Sequence, residues 1–367
     1  MSRPTLDTTR QRPVLPIGAD VDVAVDRLLH GGLVGLPTET VYGLAADAES
    51  RTAVARIYAV KGRPADHPLI VHLTPAHALL TATDGGGWAR DVPKYARRLA
   101  EQLWPGPLTL ILPRGPRAGD HVTGGGDSVG LRCPAHPVAA ALLEAFARTA
   151  GRPGAGLAAP SANRFGRVSP TRAHDVVVEL GDLLDGARDY VLDGGSSRVG
   201  VESTILDCTG PAPALLRPGA VSLAEVVRIG GVEAAPAPRP GVRAPGTLAT
   251  HYAPRARVLL AADDAAADVL LTQLTQLTQL PELPEPTELA RGPRVGLLAL
   301  ENIATPDGVV RLAAPEQAEG YAHALYAALR EADSLGLTEV VAVPPPGTDA
   351  LATAVTDRLR RAAAGAR

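Results

Sequence analysis

Short apolar runs alternate with polar loops rich in glycine and proline along the first 230 residues. Runs of a few apolar residues that end in such loops predict buried strands, while longer stretches with a helical apolar period predict helices. The predicted strands cover residues 14–17, 33–36, 69–73, 108–112, 129–132, 156–159, 190–192 and 204–207. The predicted helices cover residues 21–30, 53–60, 93–103, 137–150, 171–180 and 223–229. This mixed order predicts an α/β domain, with antiparallel pairing where strands follow each other without a helix.

The pattern changes between residues 231 and 254, which contain five prolines and no helical periodicity. Such a composition is typical of a loop or linker. Beyond it, residues 258–260, 295–300 and 340–343 predict buried strands, and residues 317–335 and 349–364 predict helices. The Leu-Thr-Gln repeat at residues 271–280 predicts a helix extension ahead of a loop rich in proline and glutamate. The sequence therefore predicts a first domain at 12–230, a linker at 231–254 and a smaller α/β domain at 255–367.

The composition is typical of a soluble protein with aliphatic cores. Hydrophobic residues make up 46% of the 367 residues and aromatic residues only 3%, so leucine, valine, alanine and isoleucine must fill the cores. The net charge of −3 argues against a dedicated binder of nucleic acid or anionic membranes. The two cysteines, Cys133 and Cys208, argue against a disulfide framework and a cysteine-built zinc site. With no apolar signal core and no run of about 20 apolar residues, we expect a cytoplasmic location and no membrane association.

The first chemical signal comes from the loop at residues 37–44 and the cations that follow it. The apolar run at 33–36 ends in this polar loop, and Lys61 and Arg63 come later, spaced so that both can project from one turn. Ligands usually dock at strand ends in open α/β sheets, and a Lys/Arg pair there suits a polyanion. Neither a P-loop nor a Rossmann fingerprint is present in the sequence, so side chains and scattered amides would have to hold any phosphates.

Further cations and hydroxyls follow other predicted strands. Besides Lys61 and Arg63, the candidates for phosphate contacts are Arg132, Arg217, Ser128, Ser161, Ser169 and Ser203. A single cation of this kind is more often a solvated surface charge. Here, however, each cation lies beside prolines or glycines at the end of an apolar run. Taken together, these positions predict a nucleotide-handling enzyme.

Several polar positions allow more than one interpretation. Ser161 and Asn163 could bind phosphate or ribose, or could form a turn that caps the next helix. Glu202 could be a metal ligand, although a strand-edge charge or an orienting role is favoured. His72, on a predicted strand, is more often a satisfied core residue than a catalytic base. The sequence shows no Ser-His-Asp or Cys-His set.

Eight segments in order resemble the YrdC-like family. They lie at residues 37–44, 61–64, 68–73, 104–108, 132–137, 160–163, 200–205 and 216–219. The Lys-x-Arg pair (Lys61, Arg63) and the Ser-x-Asn pair (Ser161, Asn163) match the signature of that family. Residues 245–246 and 251–254 resemble the linker of its long, two-domain members, and residues 324–336 and 357–360 resemble their C-terminal domain. Residues 247–250, Thr-Leu-Ala-Thr, depart from the pattern, because many relatives carry Met and Lys there.

The resemblance implies both a fold and an activity. The fold is a twisted mixed sheet with helices in the first domain, followed by a smaller Rossmann-like α/β domain. The activity is that of an L-threonylcarbamoyladenylate synthase, which makes threonylcarbamoyl-AMP and pyrophosphate from L-threonine, bicarbonate or CO2, and ATP. The product would pass to a separate transferase that modifies the tRNA adenosine beside the anticodon. Direct binding of tRNA is expected to be weak or absent.

The resemblance also implies roles for individual residues. Lys61 and Arg63 are expected to act by positioning and charge neutralisation, together with Mg2+ held mainly by the ATP phosphates and not by protein ligands. The implied ATP contacts are Lys61, Arg63, Ser128, Ser161, Asn163, Ser169, Arg217, His251 and Tyr252. The implied threonine pocket consists of Thr38, His72, Arg132, Ala159 and Ser203. The linker, with His251 and Tyr252, would close over the site and exclude water.

Two other functions stay open on the sequence. The first is a non-enzymatic RNA-binding module, because the related domain has a concave basic surface. The acidic balance and the absence of a basic, aromatic-interleaved stretch in the sequence argue against it. The second is a carbamoyl transferase of the hydrogenase-maturation type, which shares a YrdC-like domain. Such proteins carry additional zinc-binding cysteine motifs, which two cysteines cannot supply.

Overall fold

The protein forms two α/β units in a computed structural model that describes residues 14–74, 87–248, 251–278 and 294–365. Parts of all three predicted segments of the chain lie outside these residues: 12–13 and 75–86 of the first domain, 249–250 of the linker, and 279–293 and 366–367 of the C-terminal domain. Residues 279–293 include the end of the Leu-Thr-Gln repeat and the predicted loop rich in proline and glutamate. The domain limits stay predictions. Around the linker, the last helix of the first unit ends at Gly230 and the next strand begins at Arg257.

The first unit is built on a ten-stranded sheet. Its strands are β1 Ile17–Gly18, β2 Val34–Leu36, β3 Gly43–Asp47, β4 Ile70–His72, β5 Leu108–Pro113, β6 Ser128–Arg132, β7 Leu157–Ala158, β8 Tyr190–Leu192, β9 Thr204–Asp207 and β10 Ala214–Arg217. Its helices are α1 Val21–Leu29, α2 Arg51–Lys61, α3 Lys94–Leu103, α4 Asp120–Thr123, α5 Pro137–Thr149, α6 Ala173–Leu180 and α7 Leu223–Gly230. The strand order is β1-β8-β2-β3-β7-β4-β6-β5-β9-β10, with parallel and antiparallel pairs mixed.

Helices cover both faces of this sheet. Ala24 and Leu28 of α1 and Leu142 of α5 pack on one face. On the other face, Ile57 of α2 and Leu99 of α3 pack against the larger cluster of buried side chains. Local capping sets the helix limits: the Asp20 carboxylate accepts hydrogen bonds from two amides of the first turn of α1, and Ser50 caps α2 in the same way. The mixed α/β prediction for this unit is confirmed.

The structure corrects the loop prediction for residues 37–44. The loop ends at Tyr42, and Gly43–Asp47 forms strand β3 in the middle of the sheet. All five residues of β3 are buried, and three of them are Gly43, Ala45 and Ala46, so the strand has neither polar alternation nor a run of bulky apolar residues to mark it. The predictions also omitted strand β10 and helix α4.

The second unit is a smaller, all-parallel sheet with helices. Its elements are β11 Arg257–Leu260, α8 Asp264–Thr278, β12 Val295–Leu298, β13 Val310–Ala313, α9 Ala318–Ser334, β14 Glu339–Ala342 and α10 Ala350–Ala364. The strand order is β11-β14-β12-β13. Helix α8 contains the described part of the Leu-Thr-Gln repeat, which confirms the predicted helix extension up to Thr278. Strand β13 was not predicted.

The two units share a hydrophobic core. Val41 and Val201, from loops of the first unit, belong to the same buried cluster as Tyr321 and Leu325 of α9. Gly200, with a φ of 83°, approaches α9 so closely that a side chain there would overlap its backbone. The C-terminal unit is therefore packed directly against loops of the first unit. Among the described residues, no helix combines the length and apolar character that a membrane crossing needs.

Candidate active site

One line of paired residues crosses the sheet and carries much of the site. His72 pairs with Arg132, Arg132 with Thr109, Thr109 with Ile205, and Ile205 with Arg217. Residues opposite each other on neighbouring strands point to the same face of a sheet. The register of β4, β6, β5, β9 and β10 therefore aims an imidazole and two guanidinium groups from distant parts of the chain at one surface.

The Lys-x-Arg pair reaches this surface from the end of α2. Lys61 is the last residue of the helix, Gly62 ends it in the left-handed conformation, and Arg63 turns back toward the sheet. The Lys61 Nζ donates hydrogen bonds to the backbone carbonyls of Ser161 and Asn163, which joins the two signature segments. Burial, and then the neighbouring positive charge of Arg63, lower the pKa of Lys61 well below its ordinary value. A bound anion would relieve both penalties.

Arg63 is about nine-tenths buried, but only some of its hydrogen-bond donors have partners. Its Nη2 donates to the carbonyl of Pro68 at 2.9 Å, and its guanidinium carbon lies 5.7 Å from the centre of the Phe165 ring. Its Nε has no hydrogen-bond partner among the described residues. Burial lowers the pKa of Arg63 to about 10. Since a buried donor without a partner is costly, Arg63 is suited to receive an external anion.

Arg132 is held in place by a buried acid. Its Nη2 lies 2.8 Å from Glu39 Oε1, both side chains are about 5% exposed, and the other Glu39 oxygen accepts from the amide of Ala135. The Arg132 Nε lacks a partner among the described residues. Burial, and then Arg132 itself, lower the pKa of His72 to about 3, so the His72 imidazole is neutral. A carboxylate ligand could therefore bind the Arg132 guanidinium, which Glu39 orients, beside the neutral imidazole of His72.

Glu202 is a buried acid that joins the two units. Its carboxylate accepts from Ser169 at 2.6 Å, from Tyr326 of α9 at 2.8 Å and from Arg358 Nε of α10 at 2.9 Å. Burial alone would raise the pKa of Glu202, but the positive charges of Arg358 and Arg217 outweigh it and hold the value at about 2. Glu202 is thus neither a strand-edge charge nor a free metal ligand, and its contacts support the orienting role.

The linker runs across the site. Tyr252 has a φ of 65°, which is unusual for a residue other than glycine, and its ring stacks on Tyr326 with 5.6 Å between centres. The Arg358 guanidinium lies 5.3 Å from the centre of the same ring. The Tyr252 hydroxyl and the His251 Nδ1 have no hydrogen-bond partner among the described residues. Tyr326 and Arg358 of the second unit therefore hold Tyr252 of the linker in place. Two polar atoms of the linker, the Tyr252 hydroxyl and the His251 Nδ1, are left without partners among the described residues.

These groups surround one cavity of about 50 Å3. The residues predicted from the sequence that line it are Arg63, His72, Arg132, Ala159, Ser161, Ser203, Arg217, His251 and Tyr252. Lys61, Asn163 and Ser169 lie directly behind this lining, through the Ser161 and Asn163 carbonyls and the Glu202 carboxylate. The Thr38 hydroxyl donates within its own loop, to the carbonyl of Val41, which also lines the cavity.

Ser128 is the candidate that the structure places elsewhere. It begins β6, four residues before Arg132, and lines a separate cavity with Arg90 and Arg239. Four strand residues span about 13 Å, so Ser128 lies at the other end of β6 from Arg132. Its assignment as an ATP contact stays a prediction, and the position of Ser128 does not support it.

The sequence interpretation missed three residues of the site: Glu39, Tyr326 and Arg358. Glu39 stands inside the 37–44 segment, yet nothing near it in the chain marks Arg132 as its partner. Arg358 pairs with Glu202 across 156 residues, and Tyr326 across 124. The only signal for Arg358 was its place in the segment 357–360, which assigned it no role.

Two carboxylates lie at the cavity, and both already have hydrogen-bond partners. The two carboxylates of the site, Glu39 and Glu202, are engaged by arginine, tyrosine, serine or backbone donors. Within residues 14–74, 87–248, 251–278 and 294–365, no three His, Cys, Asp or Glu side chains cluster so as to hold a metal ion. Cys133 and Cys208 are both buried. A Mg2+ ion at this site would depend on ligands that a nucleotide brings with it.

A mixed sheet with a buried cationic edge, covered by a linker and a second α/β unit, defines a nucleotide-binding YrdC-like enzyme. Two family models match the chain: Sua5_yciO_yrdC, described as "Telomere recombination", over residues 26–219, and Sua5_C, described as "Threonylcarbamoyl-AMP synthase, C-terminal domain", over residues 220–364. The chain belongs to the Sua5/YrdC family, in its two-domain form. The resemblance and the fold class inferred from the sequence are confirmed.

Full-length relatives agree with this assignment. The chain is 36% identical to the threonylcarbamoyl-AMP synthase of Pyrococcus abyssi over 347 residues, 93% of each chain. It is 37% identical to that of Bacillus subtilis over 346 residues, 92% of this chain and 91% of the relative. Among solved structures, P. abyssi Sua5 complexed with L-threonine superimposes with a TM-score of 0.78 and 33% identity, covering 96% of this chain and 97% of the other.

Two glycines of the linker provide a matched test of whether its position against the site matters for activity. Gly246, with a φ of 74°, faces the Tyr252 hydroxyl and Arg217, so a Cβ there would overlap both. Gly241 has a φ of 83° but nothing within 4 Å of an added Cβ. We expect Gly246→Ala to lower kcat/KM at least tenfold, and Gly241→Ala, which carries only the backbone strain of about 1 kcal/mol, to leave it within about twofold. Steady-state kinetics of pyrophosphate release measures this, and equal losses in both variants would contradict a specific role for Gly246.

Proposed function

We propose that this protein is a threonylcarbamoyl-AMP synthase that works in the cytoplasm. It would form L-threonylcarbamoyladenylate and pyrophosphate from L-threonine, bicarbonate or CO2, and ATP. The product would pass to a separate transferase that modifies the tRNA adenosine beside the anticodon, with little or no direct binding of tRNA by this protein. The observation that supports the activity best is the convergence of Lys61, Arg63, Arg132 and Arg217 around one cavity.

The triphosphate is assigned to Lys61, Arg63 and Arg217. Lys61 and Arg63 leave the same turn, and Arg217 reaches the cavity from β10, where its Nη2 donates to the carbonyl of Ser203 at 3.0 Å. Burial is the main cause that lowers the pKa of all three groups, so each would gain from a negatively charged ligand. Ser161 adds a hydroxyl that can donate to a phosphate oxygen. The Asn163 Oδ1, buried without a partner among the described residues, could accept a hydrogen bond from a ribose hydroxyl.

The amino acid is assigned to the other side of the cavity. Arg132 would bind the threonine carboxylate through its unpartnered Nε, while Glu39 fixes the orientation of the guanidinium. The neutral His72 and Ala159 would form the wall, and Ser203, whose hydroxyl lies 2.8 Å from that of Thr109, would contribute a hydroxyl group. The loop around Thr38 and Val41 would close this end.

The chemistry needs no protein nucleophile. The threonine amine and bicarbonate or CO2 would form a carbamate, with water released when bicarbonate is the source. A carbamate oxygen would then attack the α-phosphorus of ATP, and the bond to the bridging oxygen of the β-phosphate would break to release pyrophosphate. Lys61, Arg63 and Arg217 would orient the phosphates and neutralise the charge that develops on the leaving group. Mg2+, held mainly by the phosphates, would add to that neutralisation.

The linker would act as the cover of the site. A cavity of about 50 Å3 is much smaller than the roughly 300–1,000 Å3 of small-molecule sites. Pro245, Gly246, His251 and Tyr252 of the linker line this cavity, so threonine and ATP would enter when these residues move outward, and the residues would return afterwards. In the closed position His251 and Tyr252 would shield the carbamate and the mixed anhydride, which are both sensitive to water.

The assignment of Arg132 predicts a selective defect. Arg132→Lys keeps the charge beside Glu39 but loses the fork that matches a carboxylate, so the KM for threonine should rise about tenfold or more. The KM for ATP serves as the internal control and should change less than threefold. Initial rates of pyrophosphate release at varied threonine and ATP measure both. A parallel rise of the two constants would contradict the threonine assignment.

The proposed function is tested by the requirements for pyrophosphate release. Purified protein with ATP and Mg2+ should release pyrophosphate only when both threonine and bicarbonate are present, and omission of either should reduce the rate to background. Pyrophosphate release that ignores threonine would refute the proposal. Tight, steeply salt-dependent binding of RNA without turnover of ATP would instead support the RNA-binding module.

A further inference from the structure

The C-terminal unit carries a second and larger cavity, of about 890 Å3, which shares no lining residue with the cavity of the active site. Its lining comes from the segments that follow three parallel strands: residues 260–265 after β11, residues 300–303 after β12 and residues 343–347 after β14. Thr356 and Arg360 of α10 complete it. We name this cavity the C-terminal crevice. Its volume lies in the range of small-molecule sites, about 300–1,000 Å3.

The crevice lies where an open parallel sheet offers a ligand site. The helix that follows β11 and the helix that follows β14 lie on opposite faces of the sheet. Leu271 of α8 packs with Val341, while Leu359 of α10 packs with Val340, and these neighbouring residues of β14 point to opposite faces. The connections after two adjacent strands thus diverge, which opens a crevice at their carboxyl ends.

The chemistry of the lining is divided between its two sides. Asp263 and Asp264 present carboxylates at the start of α8, where Asp263 also caps the helix. Arg360 stands on α10 and has no hydrogen bond or ion pair with any residue that the structure describes, whereas Arg358 and Arg361 of the same helix are both paired with Asp357. Between these sides, Leu260, Ile303, Val343 and three consecutive prolines form an apolar surface.

We propose that the C-terminal crevice binds a nucleoside monophosphate. The prolines and aliphatic side chains would receive the flat base, a carboxylate of Asp263 or Asp264 would accept hydrogen bonds from ribose hydroxyls, and Arg360 would pair with the phosphate. One phosphate is favoured over three, because the crevice has a single cation and two carboxylates that repel a polyphosphate. The catalytic cavity is the opposite case, because three arginines line it, Lys61 lies behind them, and the carboxylates of Glu39 and Glu202 are both engaged.

Binding is tested by calorimetric titration of the full-length protein with adenosine 5′-monophosphate. Saturable binding of one molecule is expected. Two variants that leave the catalytic cavity untouched should remove it: Arg360→Ala weakens it about tenfold or more by loss of the charged hydrogen bond, and Ala262→Trp abolishes it by filling the crevice. Arg228→Ala, an exposed arginine of α7, is the matched control and should bind as wild type does.

A third variant distinguishes the crevice from the catalytic site. Lys61→Ala should leave the affinity for the monophosphate within about twofold, and in this background ATP should bind more weakly than the monophosphate. Arg360→Ala and Ala262→Trp should keep wild-type pyrophosphate release, so this inference and the proposed function fail separately. Absence of saturable binding, or binding that disappears with Lys61→Ala and survives both crevice variants, would overturn the proposal.

Discussion

Replacement of Lys61 by alanine or methionine is expected to lower kcat/KM for pyrophosphate release by about 10²–10³-fold. Lys61 brings a buried positive charge to the cavity, aligned by the carbonyls of Ser161 and Asn163. Burial lowers its pKa in the free protein, and the negative charge of a bound phosphate would raise that pKa again. Methionine keeps the length of the side chain and removes the charge, which separates electrostatics from packing.

The chain provides its own control for this experiment. Lys94 is the only other lysine in the sequence, and it is exposed at the first position of α3. Lys94→Ala should leave the rate within about twofold of wild type. Thermal melting of all variants would establish that they are folded. A Lys61→Met enzyme that retains activity within a few-fold, with a normal melting temperature, would remove Lys61 from the catalytic machinery.

Loss of Arg358 is expected to have the largest effect on stability. Arg358→Met leaves the Glu202 carboxylate buried without its guanidinium partner, and breaking a buried pair from one side costs about 3–5 kcal/mol of the free energy of unfolding. The Arg358 side chain is fully buried, and besides Glu202 it binds the carbonyl of Pro218. Denaturant-induced unfolding measures the loss. Arg360→Met, two residues further along the same helix and exposed, should change the free energy of unfolding by less than about 0.5 kcal/mol.

Glu202→Gln tests whether the loss of stability in Arg358→Met comes from the uncompensated negative charge of Glu202. The double variant Glu202→Gln with Arg358→Met should be more stable than Arg358→Met alone, because no uncompensated charge stays buried. The pKa of Glu202, about 2, lies below the ordinary value for a glutamate, so its stabilising contribution is complete above that ordinary value and is lost as the pH falls toward 2. This acid-dependent part of the stability should be absent in Glu202→Gln. An Arg358→Met protein as stable as wild type would show that the pair does not hold the two units together.

Much of the fold follows from local pattern. The apolar runs of β2, β5 and β9 are long enough and sharply enough bounded by turn residues to be recognised one by one. Helix limits follow from caps such as Ser50 and Gly62. Strand β3 was not predicted, because a strand buried on both faces shows no alternation of polar and apolar residues, and its glycine and alanines are also common in loops.

The amino-acid sequence by itself determined where cations and hydroxyls interrupt apolar runs, and eight segments in order, with the Lys-x-Arg and Ser-x-Asn pairs among them, indicated the family. Strand register and domain packing decided the rest. Register places His72, Arg132 and Arg217 on one line across three separate strands, and it moves Ser128 to the far end of β6. Domain packing brings Arg358 to Glu202. The physical reason is that periodicity reports the conformation and burial of neighbours in the chain, whereas contacts between residues more than a hundred positions apart arise only when sheets and domains assemble.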